Sequence, residues 1–197
     1  MSTPFSQFQL HLVTEPRREL IRAVGLALGG GANWVQLRNK AGSAAAMFAE
    51  ASELIQVARK AGASVAINDR LDVALAVGAQ GIHLAGQSLP VAAVVQLASD
   101  KLVIGRSVHG LAELAEIVAA VDVPVLAIGG ITVDNLDAVL RTGVAGIAVI
   151  SAILADADPG RAAARLRAAL DTSPHTPRHP FTTPRDTHAA HRQPTTV

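Results

Sequence analysis

Short apolar runs alternate with longer stretches rich in Ala and Leu along the first 172 residues, and this alternation most narrows what the chain can become. The apolar runs predict strands at 9–14, 34–38, 64–68, 81–84, 102–107, 123–128 and 146–150. Several are nearly continuous in apolar residues, as in VPVLAIGG and GIAVIS, which is what parallel strands covered on both faces require. The stretches between them carry a helical stripe. In one, Met47, Ala51, Leu54, Ile55 and Ala58 share a face; in the last, Ala162, Leu166, Ala169 and Leu170 do so. Asp158 followed by Pro159 marks the start of that last helix, a capping carboxylate and then a Pro at the first helical position. Gly31, Gly62, Gly78 and Gly143 stand where helices end before the next strand. Strict β–α alternation predicts a parallel α/β fold with right-handed crossovers. Periodicity alone admits a doubly wound sheet as well as a closed barrel.

Composition removes several classes of function. The chain has no Cys, which excludes disulfides, thiolate metal centres and a cysteine nucleophile. Its net charge is +1, and no basic stripe with interleaved aromatics is visible, so nucleic acid is not an expected partner. The N-terminal stretch lacks a basic segment followed by an apolar one, and no apolar run is long enough to span a bilayer. A cytoplasmic protein without a membrane partner is expected. Composition changes at residue 173. The last 25 residues hold five of the ten Pro and four of the seven His, with Phe181 as their one aromatic. Such a segment buries too little apolar surface to offset its ordering entropy, so 1–172 is read as the folded body and 173–197 as a disordered tail.

Polar residues collect at the ends of the expected strands. Thr14 and Glu15 follow the first; Gln36, Arg38 and Lys40 end the second; Asn68 and Asp69 end the third. Ser107 and His109 end the fifth, Gly129 and Gly130 the sixth, and Ser151 follows the last. In a (β/α) barrel this rim gathers loops from different strands, and chemistry occurs there. Any one of these residues has an ordinary use as a cap or a loop hydrogen bond; the shared bias of six strand ends does not. Gln36, Arg38 and Lys40 alternate with apolar neighbours and so point one way, a basic row suited to an anionic ligand. Gly129 and Gly130 let backbone N–H groups approach a phosphate, and Ile150 and Ser151 open a helical turn that favours an anion. Asp69 offers a carboxylate for Mg²⁺ or for proton transfer, although it also stands where it would cap the helix that follows. His109 places an imidazole where it could shuttle protons near neutral pH, and a loop histidine bonded to backbone is its plainer reading. His83, inside a strand, reads as a packed side chain or a support for its neighbours.

The motifs VQLRNK, IND, GIHL, IGRSVH, VPVLAIGGIT and GIAVISAI, in that order across nearly the whole body, resemble the thiamin phosphate synthase/TenI family. The resemblance implies a TIM-like (β/α) barrel that binds a thiazole phosphate in thiamin biosynthesis. One branch joins that thiazole to hydroxymethylpyrimidine diphosphate with Mg²⁺ and releases diphosphate. The TenI branch moves protons on a carboxythiazole phosphate to reach its aromatic tautomer, with no cofactor. By the same resemblance Gln36 and Lys40 match the pyrimidine diphosphate contacts, and Asn68 and Asp69 match the pair at the metal. Gly130, Ile150 and Ser151 match the thiazole phosphate cradle, and His109 matches the TenI acid/base.

Two departures shape the expectations. The run AGQSLP places Ser88 where the synthases carry a second Mg²⁺ carboxylate, and SVH is TenI-like wording. Only thirteen residues separate His109 from Val123, so about one βα unit, the sixth, is missing. A seven-stranded barrel is therefore expected, either narrowed to closure or open beside the fifth strand. Edges exposed by such a gap would need cover, a homo-oligomer being one form of it. The leading expectation is a TenI-like tautomerase with His109 as its proton carrier. The alternative is thiamin phosphate synthase, with Mg²⁺ on Asp69. A silent phosphate-binding protein is the third.

Overall fold

The computed structural model describes residues 8–85, 88–98, 102–106, 114–115, 118–119 and 124–179. The strands are β1 (Gln9–Val13), β2 (Trp34–Leu37), β3 (Ser64–Asn68), β4 (Gly81–Leu84), β5 (Val103–Arg106), β6 (Leu126–Ile128) and β7 (Gly146–Val149). The helices are α1 (Leu20–Gly29), α2 (Ala44–Lys60), α3 (Leu71–Val77), α4 (Val91–Ala98), α5 (Leu136–Leu140), α6 (Ser151–Leu154) and α7 (Pro159–Asp171). All seven strands are parallel and lie in the order β5-β4-β3-β2-β1-β7-β6. β1 therefore sits inside the sheet between β2 and β7, the arrangement of a barrel whose chain returns to its first strand. Closure is not reached: β5 and β6 end the sheet, and among the described residues each pairs on one side only. Of the two expected outcomes for the missing unit, the gap beside the fifth strand is the one found.

The local signals act as the sequence implies. Ser43 caps α2 by accepting from the Ala46 N–H at 3.2 Å, and Asp158 caps α7 by accepting from the Arg161 N–H at 3.0 Å, with Pro159 following. The α2 stripe Met47, Ala51, Leu54, Ile55 and Ala58 is buried throughout. On α7, Ala162, Leu166 and Leu170 are buried and Ala169 is only partly so. The observed strands stop about one residue short of several expected ends because pairing gives way to loops there; Val123 and Ser107 lie outside the described residues.

Register divides the sheet into two chemically distinct faces, since paired residues in a parallel sheet share a side. One face carries Leu12 with Val35 and Val65, then Leu37 with Ile67 and Ile82, and packs against the helices in a continuous apolar core. The opposite face carries His11 with Trp34, then Gln36 with Ala66 and Gly81, then Asn68 with His83 and Gly105. Large and small side chains interlock on this inner face. The Trp34 ring reaches Gly81, where an added Cβ would lie 3.1 Å from its Cζ3, and the His83 ring covers Gly105, where a Cβ would lie 3.0 Å from Nδ1. His11 stacks on Trp34 with ring centroids 5.2 Å apart. The seam between the two ends of the chain is equally close: a Cβ on Gly146 would fall 2.3 Å from the Gln9 carbonyl oxygen, so β7 pairs with β1 only through a glycine.

Residues 173–179, expected to begin the tail, are held to the body. The Arg178 N–H donates to the Gly143 carbonyl at 2.9 Å, His175 Nε2 lies 2.9 Å from Asp137 Oδ1, and Pro177 is buried. Composition could not show this, because the two bonds join the segment to residues 35 and 38 positions away. Residues 180–197 lie outside the described structure.

Burial of His11 makes the fold acid-sensitive. Desolvation, with help from the nearby His83, lowers its pKa from 6.5 to about 3. Below pH 6.5 the unfolded chain binds a proton there that the folded chain does not, so stability is full above that pH and falls as pH drops. The loss is about 2 kcal/mol between pH 8 and pH 5. Urea unfolding across that range should show the decline, and His11→Phe, which keeps the ring but not the titration, should flatten it.

Candidate active site

Because every strand runs the same way, all carboxyl ends lie on one rim. Around it stand Gly129 and Gly130 after β6, Ile150 and Ser151 after β7, Thr14 after β1, Gln36 on β2 and Arg38 just after it, Asn68 and Asp69 at the end of β3, and Ala85 after β4. Two groups emerge, one on each side of Thr14.

The first group is a chain of hydrogen bonds. Gln36 and Asn68 are buried, and Gln36 Nε2 donates to Asn68 Oδ1 at 3.0 Å. Asn68 Nδ2 donates in turn to Asp69 Oδ2 at 2.7 Å. Asp69 Oδ1 accepts from the Ala85 N–H at 2.9 Å and from the Ser88 hydroxyl. Partial burial pushes the Asp69 carboxyl up, but the bonds from Ser88, Ala85 and Asn68, with His83 nearby, outweigh it and hold the group below the ordinary carboxylate range. Its backbone is left-handed, with φ 60°, and the Arg70 N–H closes this reversal on the Asn68 carbonyl at 2.8 Å. A non-glycine residue there costs about 1–2 kcal/mol, so the surrounding bonds are what keep the carboxylate aimed. Asp69 does not cap α3; its oxygens are taken by Asn68 and by Ala85 and Ser88 in the loop after β4, and no side-chain cap is present at Arg70. The sequence left both uses open, and the structure removes the cap.

Arg38 and Lys40 follow Gln36 beyond the end of β2, the first partly buried and the second exposed. The Arg38 N–H donates to the buried Thr14 Oγ1 at 3.1 Å, and the Thr14 N–H donates to the Gln36 carbonyl at 2.9 Å, so Thr14 staples β1 to β2 at the rim. Burial lowers the His83 pKa and so favours the neutral imidazole, with the Asp69 charge opposing this and the Arg38 charge adding to it. The expected role of His83 as a support fits that state.

The second group is backbone. Gly129 (φ 111°) and Gly130 (φ 60°) are exposed, and nothing lies within 4 Å of a Cβ built at either. Their need for glycine is therefore conformational, and the space beside them is open to a ligand. Ile150 precedes the four-residue α6, whose first N–H groups face the same rim, with Ser151 exposed. Asn135, which sequence reading passed over, completes this loop: its Oδ1 accepts from the Thr132 N–H and its Nδ2 donates to the Gly130 carbonyl, both at 2.9 Å. An Asn three residues after Thr132 and just ahead of a helix was the available signal, but it reads as an ordinary cap. Ser107 and His109 lie outside the described residues, so the structure does not place the expected acid/base.

A family model described as thiamine monophosphate synthase matches residues 10–119 and 110–153. The chain belongs to this family. The doubly matched stretch falls between β5 and β6, where the βα unit is missing. The thiamine-phosphate synthase of Roseiflexus castenholzii is 37% identical over 188 residues, covering 76% of this chain and 82% of that protein. The enzyme of the same name from Pyrococcus abyssi is 33% identical over 199 residues, covering 84% and 96%. The solved thiamine phosphate pyrophosphorylase from Pyrococcus furiosus superposes with a TM-score of 0.78 at 33% identity, over 84% of this chain and 96% of that one. A 3-hexulose-6-phosphate synthase, at 19% identity and a TM-score of 0.61, shares the fold alone. Membership places the chain among enzymes of thiamine biosynthesis and, with the seven parallel strands, establishes a TIM-like barrel left open. No helix among the described residues is long and apolar enough to cross a membrane.

A direct check of the Asp69 geometry is available. Asp69→Ala strands the Ala85 and Ser88 donors and keeps the left-handed cost, and should lower stability in urea by about 2 kcal/mol or more. Asp69→Asn tolerates the backbone and retains one oxygen, and should stay within about 1 kcal/mol of wild type.

Proposed function

We propose that this chain is a thiamine-phosphate synthase, a transferase that joins a thiazole phosphate to hydroxymethylpyrimidine diphosphate and releases diphosphate. The observation that carries this reading is the ionised Asp69, fixed in a strained conformation and linked through Asn68 to Gln36. The names of the relatives favour it over the tautomerase expected first. Gln36 and Asn68 orient the pyrimidine, Arg38 and Lys40 hold its diphosphate, and the N–H groups around Gly129, Gly130, Ile150 and Ser151 hold the thiazole phosphate. A carbon–nitrogen bond forms between the rings as the carbon–oxygen bond to diphosphate breaks, its electron pair leaving with the diphosphate.

Mg²⁺ suits the Asp69 corner only in company with its substrate. Oδ1 already accepts two donors and Oδ2 one, which leaves lone-pair capacity on Oδ2, and no cluster of three His, Asp or Glu stands among the described residues. A single carboxylate plus substrate phosphate oxygens is a common Mg²⁺ environment. When bound, the ion would offset the charge of the departing diphosphate; the protein's part is to hold Asp69 ionised and in place.

One observation favours the tautomerase as a second reading. The Ser88 hydroxyl occupies Asp69 Oδ1, where a second carboxylate would otherwise stand, and a site with one carboxylate suits a ligand of lower charge. That reaction would rest on His109. The two are separated by assay. With both substrates and Mg²⁺, wild type should release diphosphate and Asp69→Asn should lose at least about a hundredfold in kcat. Absent diphosphate release, with an ultraviolet change on carboxythiazole phosphate that His109→Ala abolishes, would instead establish the tautomerase. Binding of thiazole phosphate with neither turnover would leave a silent binder.

A further inference from the structure

The loop of Gly129 and Gly130 has no side chains with which to hold its own shape, and both residues are exposed with positive φ. Its order comes from outside. Asn135 grips it at two points, the Gly130 carbonyl and the Thr132 N–H, both at 2.9 Å. Asn135 in turn is the residue before α5, a helix of only five residues, too short to be stable by itself. What braces α5 is therefore decisive for the loop. Leu136, Val139 and Leu140 anchor its inner side. Its outer side is met by the C-terminal segment: His175 Nε2 sits 2.9 Å from Asp137 Oδ1, in the first turn, and the Arg178 N–H donates to the Gly143 carbonyl at 2.9 Å, just past the last. Val118, on the segment between β5 and β6, comes up against Gly143 from another direction: an added Cβ there would lie 3.4 Å from Val118 Cγ1 and 3.4 Å from Arg178 Cβ. Both ends of α5 are thus tied by residues beyond α7, on the flank next to the unpaired edge of β6.

We propose that residues 173–179 are a strap that sets the anion-binding loop, fixing α5 at His175 and Arg178 so that the positioning residue Asn135 holds Gly130 and Thr132 in place. The coupling rests on the preceding reading of that loop as the thiazole phosphate site, and it adds two features to that reading: a positioning amide and a dependence on the C-terminal segment. The single side-chain contact of His175 with Asp137, near the surface, contributes little alone. The backbone bond of Arg178 and the burial of Pro177 supply the rest, so both ties must be cut to release the strap.

The test uses the full chain with Asn135→Ala, Asn135→Asp and the double variant His175→Ala/Arg178→Pro, which removes the imidazole and the backbone donor together. Amide hydrogen exchange at Thr132, referenced to Ile147 within β7, reads the loop directly. Calorimetric titration with a thiazole phosphate monoester reads its consequence. Asn135→Ala should speed Thr132 exchange at least tenfold and weaken binding about tenfold; Asn135→Asp, which keeps the acceptor for Thr132, should restore most of the protection. The strap variant should speed Thr132 exchange severalfold, leave Ile147 unchanged, and weaken binding about threefold. Unchanged Thr132 exchange in the strap variant would overturn the coupling, and unchanged exchange in Asn135→Ala would overturn the clamp. Wild type that fails to bind the monoester while the exchange results hold would refute the phosphate reading of the loop but not the strap.

Discussion

Everything at the rim depends on the in-register pairing of β1 with both β2 and β7. That double pairing brings the first strand between the second and the last, curls the sheet, and sets all seven carboxyl ends on one side. Side chains alternate with a period of two, so a slip of one residue in β2 would turn Gln36 into the apolar layer and Leu37 toward the ligand. The register is secured on both flanks of β1. Gly146 admits the Gln9 backbone where any Cβ would collide, and Thr14 bonds to β2 through its N–H and its hydroxyl. The apolar face then has one way to pack, and the polar face is fixed as a consequence.

Within that frame Asp69 is, on the proposed function, the point where stability yields to function. Its left-handed backbone costs about 1–2 kcal/mol, while a hydrogen bond of the kind it accepts contributes about 1 kcal/mol net. Three such bonds hold a conformation that no local preference would select, and they keep the group ionised in a half-buried corner. Ser88 is part of this balance. A hydroxyl there stabilises the anion, whereas a second carboxylate would repel it and require a cation to compensate.

Much of this was legible in the sequence, and the limits are physical. Seven apolar runs fixed seven strands because burial on both faces leaves little freedom for polar residues; the α2 stripe and the Asp158 cap were equally local. The open edge at β5 followed from the short span between His109 and Val123, though sequence could not choose between closure and a gap, which depends on whether distant strands can meet. Asp69 and Asn68 were found, and Ser88 was placed at the same corner, but the bonds to Oδ1 were not: Ala85 and Ser88 are sixteen and nineteen residues away and reach it only through the β3–β4 pairing. Asn135 was overlooked because its bonds run back into the loop, where a sequence reading expects a cap for the helix ahead. The contacts of His175 and Arg178 were hidden by the polar composition around them, which reports average burial and is silent about two specific ties.

On the proposed reading the rim presents two ligand positions of different chemistry on either side of Thr14, a carboxylate–amide chain at the ends of β2 and β3 and a backbone cradle after β6 and β7. Strand spacing puts them roughly 10–15 Å apart along the sheet, far enough for two phosphorylated rings to bind facing one another. Amide chemical-shift mapping of the 20.3 kDa chain tests that division most directly. A thiazole phosphate alone should move the resonances of 129–132 and 150–152, and inorganic diphosphate with Mg²⁺ should move those of 36–40 and 68–69. If both ligands perturb the same set, or if neither reaches Asp69, the two-site account is wrong.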